Sequence, residues 1–304
     1  MSERTLKRIL GIVALLVVIY AAVALFSHGP STGGGGGTDA LHAFLSSLGP
    51  DQVDGVSFIQ QSDTIRLWCS VGSWTVNGYP ADSARVARFW EGLADAEVTG
   101  PAARNPANHA RMGVTEDSAL QVVFHTPDGQ DQVLLVGHDA TPGPSAYVRL
   151  PDQDPVDVLH GDIRREVRRT VATWRDPTVE QLDTTRLRTI VLNREDSHQT
   201  LQRSDSAWTV DGQPADSLAV SGIVSGLAML RSTGFAPDSA TLTSPDRTLV
   251  ALGAGGDTLT ALSLKMMPDS ANYRVKARDR DQVYELTTYQ VGRLFPDTAV
   301  LKGH

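Results

Sequence analysis

Trp74-Thr75-Val76-Asn77-Gly78-Tyr79-Pro80-Ala81-Asp82-Ser83 returns 134 residues later as Trp208-Thr209-Val210-Asp211-Gly212-Gln213-Pro214-Ala215-Asp216-Ser217. The match runs on through Gly92-Leu93-Ala94 against Gly226-Leu227-Ala228, and through Thr99-Gly100 against Thr233-Gly234. Over residues 72–100 and 206–234, 14 of 29 positions are identical, more than chance produces, so the chain carries a duplicated module. The duplication supplies an internal test. A residue kept in both copies serves folding; one present in a single copy is free to be specialised.

Each copy reads as strands, then a helix, then more strands. In the first, Thr64-Ile65-Arg66-Leu67-Trp68-Cys69 alternates in strand fashion, and Ser73-Trp74-Thr75-Val76 ends at Asn77-Gly78. The second has Thr189-Ile190-Val191-Leu192, then Ala207-Trp208-Thr209-Val210 ending at Asp211-Gly212. Asn-Gly and Asp-Gly tolerate positive φ, which predicts a tight hairpin turn in both copies. The helix follows, with Asp82 and Asp216 placed to cap it. Val86, Phe89, Trp90 and Leu93 recur at helical spacing, and Val220, Ile223, Val224 and Leu227 hold the same places. An apolar stripe that persists while its residues change marks a buried face, so Trp90 reads as core. A meander then runs through 120–124, 132–136 and 146–150, matched by 248–252, 258–262 and 272–276. Closing helices are predicted over 162–175 and 289–295. The fold class expected is α+β: two tandem modules, residues 38–176 and 177–304, each a mostly antiparallel β-sheet with helices packed on one face.

Ahead of the modules, residues 9–26 form an uncharged apolar run. As a helix they span about 27 Å, close to the hydrocarbon thickness of a bilayer. Arg4, Lys7 and Arg8 precede the run and no basic residue follows until Arg66, so residues 1–8 are expected in the cytoplasm and the bulk of the chain outside. Ala22-Val23-Ala24 has the form of a signal-peptide cleavage site, but the run continues through Leu25-Phe26, which favours a single-pass anchor in the cytoplasmic (inner) membrane. Residues 27–37, with five consecutive glycines at 33–37, read as a flexible tether. They lack the preceding strand and following Lys-Ser/Thr of a phosphate loop.

The formal charge of −8 disfavours nucleic acid as a partner, since that needs a dense positive surface. One cysteine, Cys69, forms no intramolecular disulfide, and its place on the apolar side of a strand reads as core. The eight histidines are scattered; only His125 and His138, on neighbouring strands of one hairpin, are placed to approach each other. Asp152-Gln153-Asp154-Pro155-Val156-Asp157 resembles a calcium loop but lacks its glycine at the sixth place and glutamate at the twelfth. Gly222-Ile223-Val224-Ser225-Gly226 sits inside a predicted helix and has the wrong spacing for a nucleophile elbow. No catalytic, metal-ligating or cofactor-binding set is predicted. One patch departs from the acidic balance: Arg164, Arg165, Arg168, Arg169 and Arg175 cluster on the helix closing copy one, whereas the copy-two helix keeps only Arg293. These five are the candidate docking residues for an acidic partner; the plainer reading is a solvated helix face.

The order of these signals resembles a bacterial family described as domain of unknown function 4340. The residues that carry the likeness are Trp74, Asp82, Asn105-Pro106 with Met112-Gly113, Gly137-His138, Tyr147-Val148-Arg149, and the bridge Trp174-Arg175-Asp176. Copy two lacks a clear Asn-Pro…Gly element. The resemblance implies an envelope protein, and by association an auxiliary of an ABC-type transport system. The expected function is a non-enzymatic membrane-anchored scaffold or binding module of a membrane complex. The alternative is a periplasmic enzyme acting on a cell-envelope polymer through carboxylates between the modules.

Overall fold

The computed structural model describes residues 36–61, 63–205, 207–268 and 271–303. The predicted span at 9–26 and residues 27–35 of the tether lie outside them. Among the described residues no helix is long and apolar enough to cross a membrane.

Contacts divide the described residues into two units: those up to 77 together with 84–169, and 78–83 together with those from 170 on. The first sheet is built from β1 (Gly55–Gln60), β2 (Asp63–Ser70), β3 (Ser73–Val76), β4 (Tyr79–Pro80), β5 (Glu97–Ala103), β6 (Leu120–His125), β7 (Gln132–Asp139), β8 (Ser145–Arg149) and β9 (Val156–His160). Its strand order is β4-β3-β2-β1-β6-β7-β8-β9-β5. A short pair joins β10 (Thr178–Glu180) to β15 (Leu230–Arg231). The second sheet uses β11 (Thr189–Arg194), β12 (Ser197–Ser204), β13 (Ala207–Val210), β14 (Gln213–Pro214), β16 (Gly234–Phe235), β17 (Arg247–Leu252), β18 (Thr258–Met266), β19 (Asn272–Ala277) and β20 (Tyr284–Thr287). Its order is β14-β13-β12-β11-β17-β18-β19-β20-β16, the first order repeated strand for strand. The strand pairs are antiparallel, so the protein consists of two large antiparallel sheets with helices.

The duplicated decapeptide behaves alike in both places. Asn77 and Gly78 have φ of 47° and 88°, and Asp211 and Gly212 have 49° and 81°, the positive values the sequence asks for. The Asn77 carboxamide oxygen accepts from Arg66 N at 2.7 Å, and the Asp211 carboxylate accepts from Thr200 N at 3.0 Å. The turn residue thereby ties itself to the strand it returns along. The helices also agree with the stripe: Val86, Phe89, Trp90 and Leu93 are buried on Ser83–Ala94, as are Val220, Ile223 and Leu227 on Ser217–Ala228. Asp216 caps the second helix by accepting from Ala219 N at 2.7 Å.

The first core is mostly aliphatic with an aromatic cluster set into it: Trp90 lies 5.3 Å from Phe89, 6.1 Å from Phe124 and 6.3 Å from Trp74, ring centre to ring centre. The second is largely aliphatic, with Ile190, Leu192, Leu201, Val210, Ile223 and Leu249 fully covered.

Four expectations need correction. The closing helix over 162–175 is two short ones, Ile163–Val167 and Val171–Trp174, with Thr170 extended between them. Val167, Thr170, Val171 and Thr173 are β-branched, which weakens a helix where packing does not hold it. Gly36 and Gly37, read as tether, begin a helix, Gly36–Ser46, whose Leu41 is buried. Thr38 beside them donates to the Asp157 carboxylate at 2.8 Å, which fixes this end. Cys69 is partly exposed, not core. His125 and His138 sit at opposite ends of the β6–β7 hairpin and do not meet, since the register sets Leu120 against Val136 and Phe124 against Gln132.

Candidate functional site

Three groupings of polar side chains are candidates, and the first gathers the residues that carried the resemblance. Asn105 caps a short 3-10 turn, Pro106–Asn108, through Ala107 N at 2.9 Å, and the helix His109–Met112 follows. Gly113 ends that helix in the left-handed region, and a Cβ there would strike the His138 ring at 2.7 Å. His138 Nδ1 lies 3.3 Å from Arg111 O, and Arg164 donates to Gly137 O. At the centre stands Arg149, 7% exposed. Its Nε donates to Val114 O at 3.0 Å, and Nη1 reaches the carbonyls of Leu150, Pro151 and Gln153 at 3.3, 2.6 and 3.0 Å.

The cage takes up one carbonyl of the calcium-like loop, that of Gln153, and two just ahead of it. Carbonyls of the kind a cation would need already face a guanidinium, whose fork matches several acceptors at once. Asp157, the loop's last carboxylate, accepts from Thr38. Among the described residues no three His, Cys, Asp or Glu side chains are grouped to hold a metal ion. The Asn-Pro…Gly, Gly-His and Tyr-Val-Arg elements are thus parts of one knot that holds a loop closed. Copy two has no helix between β16 and β17, where that element would fall.

The second grouping went unseen in the sequence. Ser57 Oγ lies 2.8 Å from His125 Nε2, and His125 Nδ1 lies 3.0 Å from the Asp131 carboxylate. This is the hydroxyl–imidazole–carboxylate order of acyl-transfer enzymes. Register explains it: Ser57 faces Val123 and Gly55 faces His125, so Ser57 and His125 are diagonal neighbours across β1 and β6. Ser57 is 4% exposed in the middle of a strand paired on both sides. Its peptide groups belong to the ladders, which leaves them unable to serve as oxyanion donors. The geometry holds the imidazole in one orientation and pins the end of the hairpin.

The third grouping lies in the second unit, around Arg175. Its guanidinium carbon is 3.7 Å from the Tyr79 ring centre and 4.2 Å from that of Phe235. Nη2 donates to Gln282 at 2.8 Å, and Nη1 is 3.9 Å from the Asp238 carboxylate. The Tyr79 hydroxyl donates to Asp238, and that bond raises its pKa above the ordinary tyrosine value. Burial pushes the Tyr284 hydroxyl up as well. A cavity of about 470 Å³ opens beside them, and its wall carries Asp238, Asp279 and Asp281 as well as Arg280.

The five arginines predicted to dock a partner therefore have distinct environments. Arg164 bonds Gly137 O and lies 3.1 Å from the Asp139 carboxylate. Arg169 forms a two-bond pair with Glu166 at 2.5 and 2.6 Å, which raises its pKa. Arg175 is enclosed between rings. Arg165 is exposed and paired with Asp162 at 2.5 Å, and Arg168 is exposed. Of the five, Arg165 and Arg168 keep the most accessible charge.

No curated protein and no solved structure matches the chain. A family model described as Domain of unknown function (DUF4340) matches residues 74–248, from the first duplicated tryptophan into β17. That is more than half of the chain, takes in the Arg149 knot and the repeated turns, and agrees with the motifs read from the sequence: the protein belongs to the DUF4340 family.

Proposed function

We propose that this protein is a non-enzymatic, single-pass envelope protein, held in the cytoplasmic membrane by residues 9–26, that serves as a scaffold or binding module of a membrane complex. The observation that carries the reading is the division of labour between the copies. What recurs is turn and core: Asn77 and Asp211 on their strands, Trp74 and Trp208, the two apolar helix stripes. Polar groupings such as the Ser57–His125–Asp131 chain and the Arg149 cage occur once, and each is accounted for by local packing. The apolar run and its basic flank support export of the folded part. An ABC-type transport system is the complex that the family resemblance favours.

Fractionation with protease treatment of intact spheroplasts tests the placement. The full chain should sediment with membranes, resist carbonate extraction, and lose its bulk to protease added outside. Recovery in the soluble cytosolic fraction, or protection from external protease, would remove the reading. Docking is tested by pull-down from detergent-solubilised membranes, with Arg165→Glu/Arg168→Glu against wild type; unchanged co-purifying proteins would show that these arginines dock nothing.

A second reading, hydrolysis by a serine site, differs from the carboxylate site expected from the sequence and draws on one observation, the Ser57–His125–Asp131 order. Its requirement is ester or amide hydrolysis by the purified chain that disappears in Ser57→Ala.

A further inference from the structure

Trp90 in the first unit and Val224 in the second occupy equivalent helix positions, and the exchange changes what lies beside the duplicated tryptophan. In the first unit the Trp90 indole is 8% exposed and packs on Trp74 and Phe124. In the second, Val224 is only partly buried, Trp208 is partly buried as Trp74 is, and an open groove of about 740 Å³ runs between the helix Ser217–Ala228 and the strand end. Its lining includes Trp208, Val220, Val224, Arg188, Arg203 and Asp205.

The backbone fixes which residues correspond. Asp54 N donates to His125 O at 2.7 Å and Cys69 N to Asp54 O at 2.8 Å. In the second unit Arg188 N donates to Leu252 O and Arg203 N to Arg188 O, both at 2.9 Å. Arg188 and Arg203 therefore stand where the first unit has Asp54 and Cys69. The register sets Cys69 opposite Trp74 and Arg203 opposite Trp208. Three changes coincide at one place: the indole that fills the space is lost, and two cations replace an acid and a thiol. Arg188 donates to the carbonyls of Thr185 and Leu187 at 2.9 and 3.0 Å, and neither arginine has a carboxylate partner among the described residues. One acid, the exposed Asp205, shares the rim.

We infer that the groove beside Trp208 is a binding site for an acidic polypeptide segment that inserts an aromatic side chain. The first unit shows the kind of group that fits against the duplicated tryptophan, an aromatic ring tilted 51° to it with centres 6.3 Å apart. Charge complementarity supplies the flanking residues, since carboxylates on either side of that ring meet Arg188 and Arg203. This rests on the reading of the protein as a binding module and names the partner's chemistry. It is tested on purified protein, so its failure is separable from a failure of the membrane placement.

The experiment is calorimetric titration of the full-length chain in detergent with three blocked pentapeptides: Asp-Glu-Trp-Glu-Asp, its Ala-centred version, and the basic Lys-Arg-Trp-Arg-Lys. The acidic tryptophan peptide should bind at least tenfold more tightly than either of the others. Val224→Trp, which restores the first unit's own plug, and Arg203→Glu should each weaken it tenfold or more, while Lys276→Glu, at an exposed position of β19, leaves it unchanged. Equal binding of the three peptides, no binding at millimolar peptide, or full affinity in Val224→Trp would overturn the inference. So would free indole-3-acetate binding as tightly as the peptide, because the occupant would then be a small aromatic acid.

Discussion

Arg149 shows how one side chain sets local structure. A buried guanidinium is costly to desolvate, and here four backbone carbonyls from two loops take up its donors. Removing it leaves the buried Val114 carbonyl and the part-buried carbonyls of the 150–153 loop without donors, the expensive half of the exchange. Arg149→Met is therefore expected to lower stability by about 2–4 kcal/mol, as the shift of a urea unfolding curve followed by tryptophan fluorescence. Arg149→Lys should recover only part of that, because one ammonium cannot reproduce a planar fork that reaches both Val114 and the 150–153 loop. A Met variant within about 0.5 kcal/mol of wild type would mean the cage contributes nothing. In the sequence this residue was only the last of Tyr147-Val148-Arg149. Its partner Val114 is 35 positions away, so no local spacing announces the contact.

At the scale of elements, the two hairpins offer a matched pair. Gly78 and Gly212 have positive φ, and a Cβ at either would meet nothing within 4 Å, so an alanine there bears backbone strain alone. Gly78→Ala and Gly212→Ala should each cost about 1–2 kcal/mol, and the two costs should agree. Exchange of the preceding residues should be uneven. Asn77 also donates through Nδ2 to Thr64 O at 3.2 Å, which an aspartate cannot do, so Asn77→Asp should cost more than Asp211→Asn. Urea midpoints for the four variants decide it; a Gly78 variant as stable as wild type would show that the turn has another conformation in solution. These turns were legible because Asn-Gly and Asp-Gly act locally, and so was the apolar stripe of each helix. Breaks were not. The interruption at Thr170 depends on what residues 163–174 pack against, and the helix Gly36–Ser46 begins in glycines that read as linker. The Ser57–His125–Asp131 chain spans 68 positions at its longest step and exists only because β1 pairs with β6.

Over the whole molecule, duplication followed by divergence predicts that equivalent positions carry unequal energies. Trp90 and Val224 test this most directly, since one shared helix position is filled in one copy and open in the other. Trp90→Val removes a buried ring that touches Trp74, Phe89 and Phe124, and a cavity of that kind costs about 3 kcal/mol. The indole N–H has no acceptor among the described residues, a penalty that valine would lift, which lowers the expected loss to about 2 kcal/mol. Val224→Trp should behave oppositely: the ring enters existing space beside Trp208, covers apolar surface, and leaves stability unchanged or raises it by about 1 kcal/mol. The pair is measured by urea unfolding of the full chain, with near-ultraviolet circular dichroism reporting the new tryptophan contact in Val224→Trp. Equal losses in both variants would mean that the second groove is already tightly packed, and the specialisation inferred for it would fall with that result. Opposite signs would show that one ancestral pocket has been sealed as core in the first copy and kept open as surface in the second.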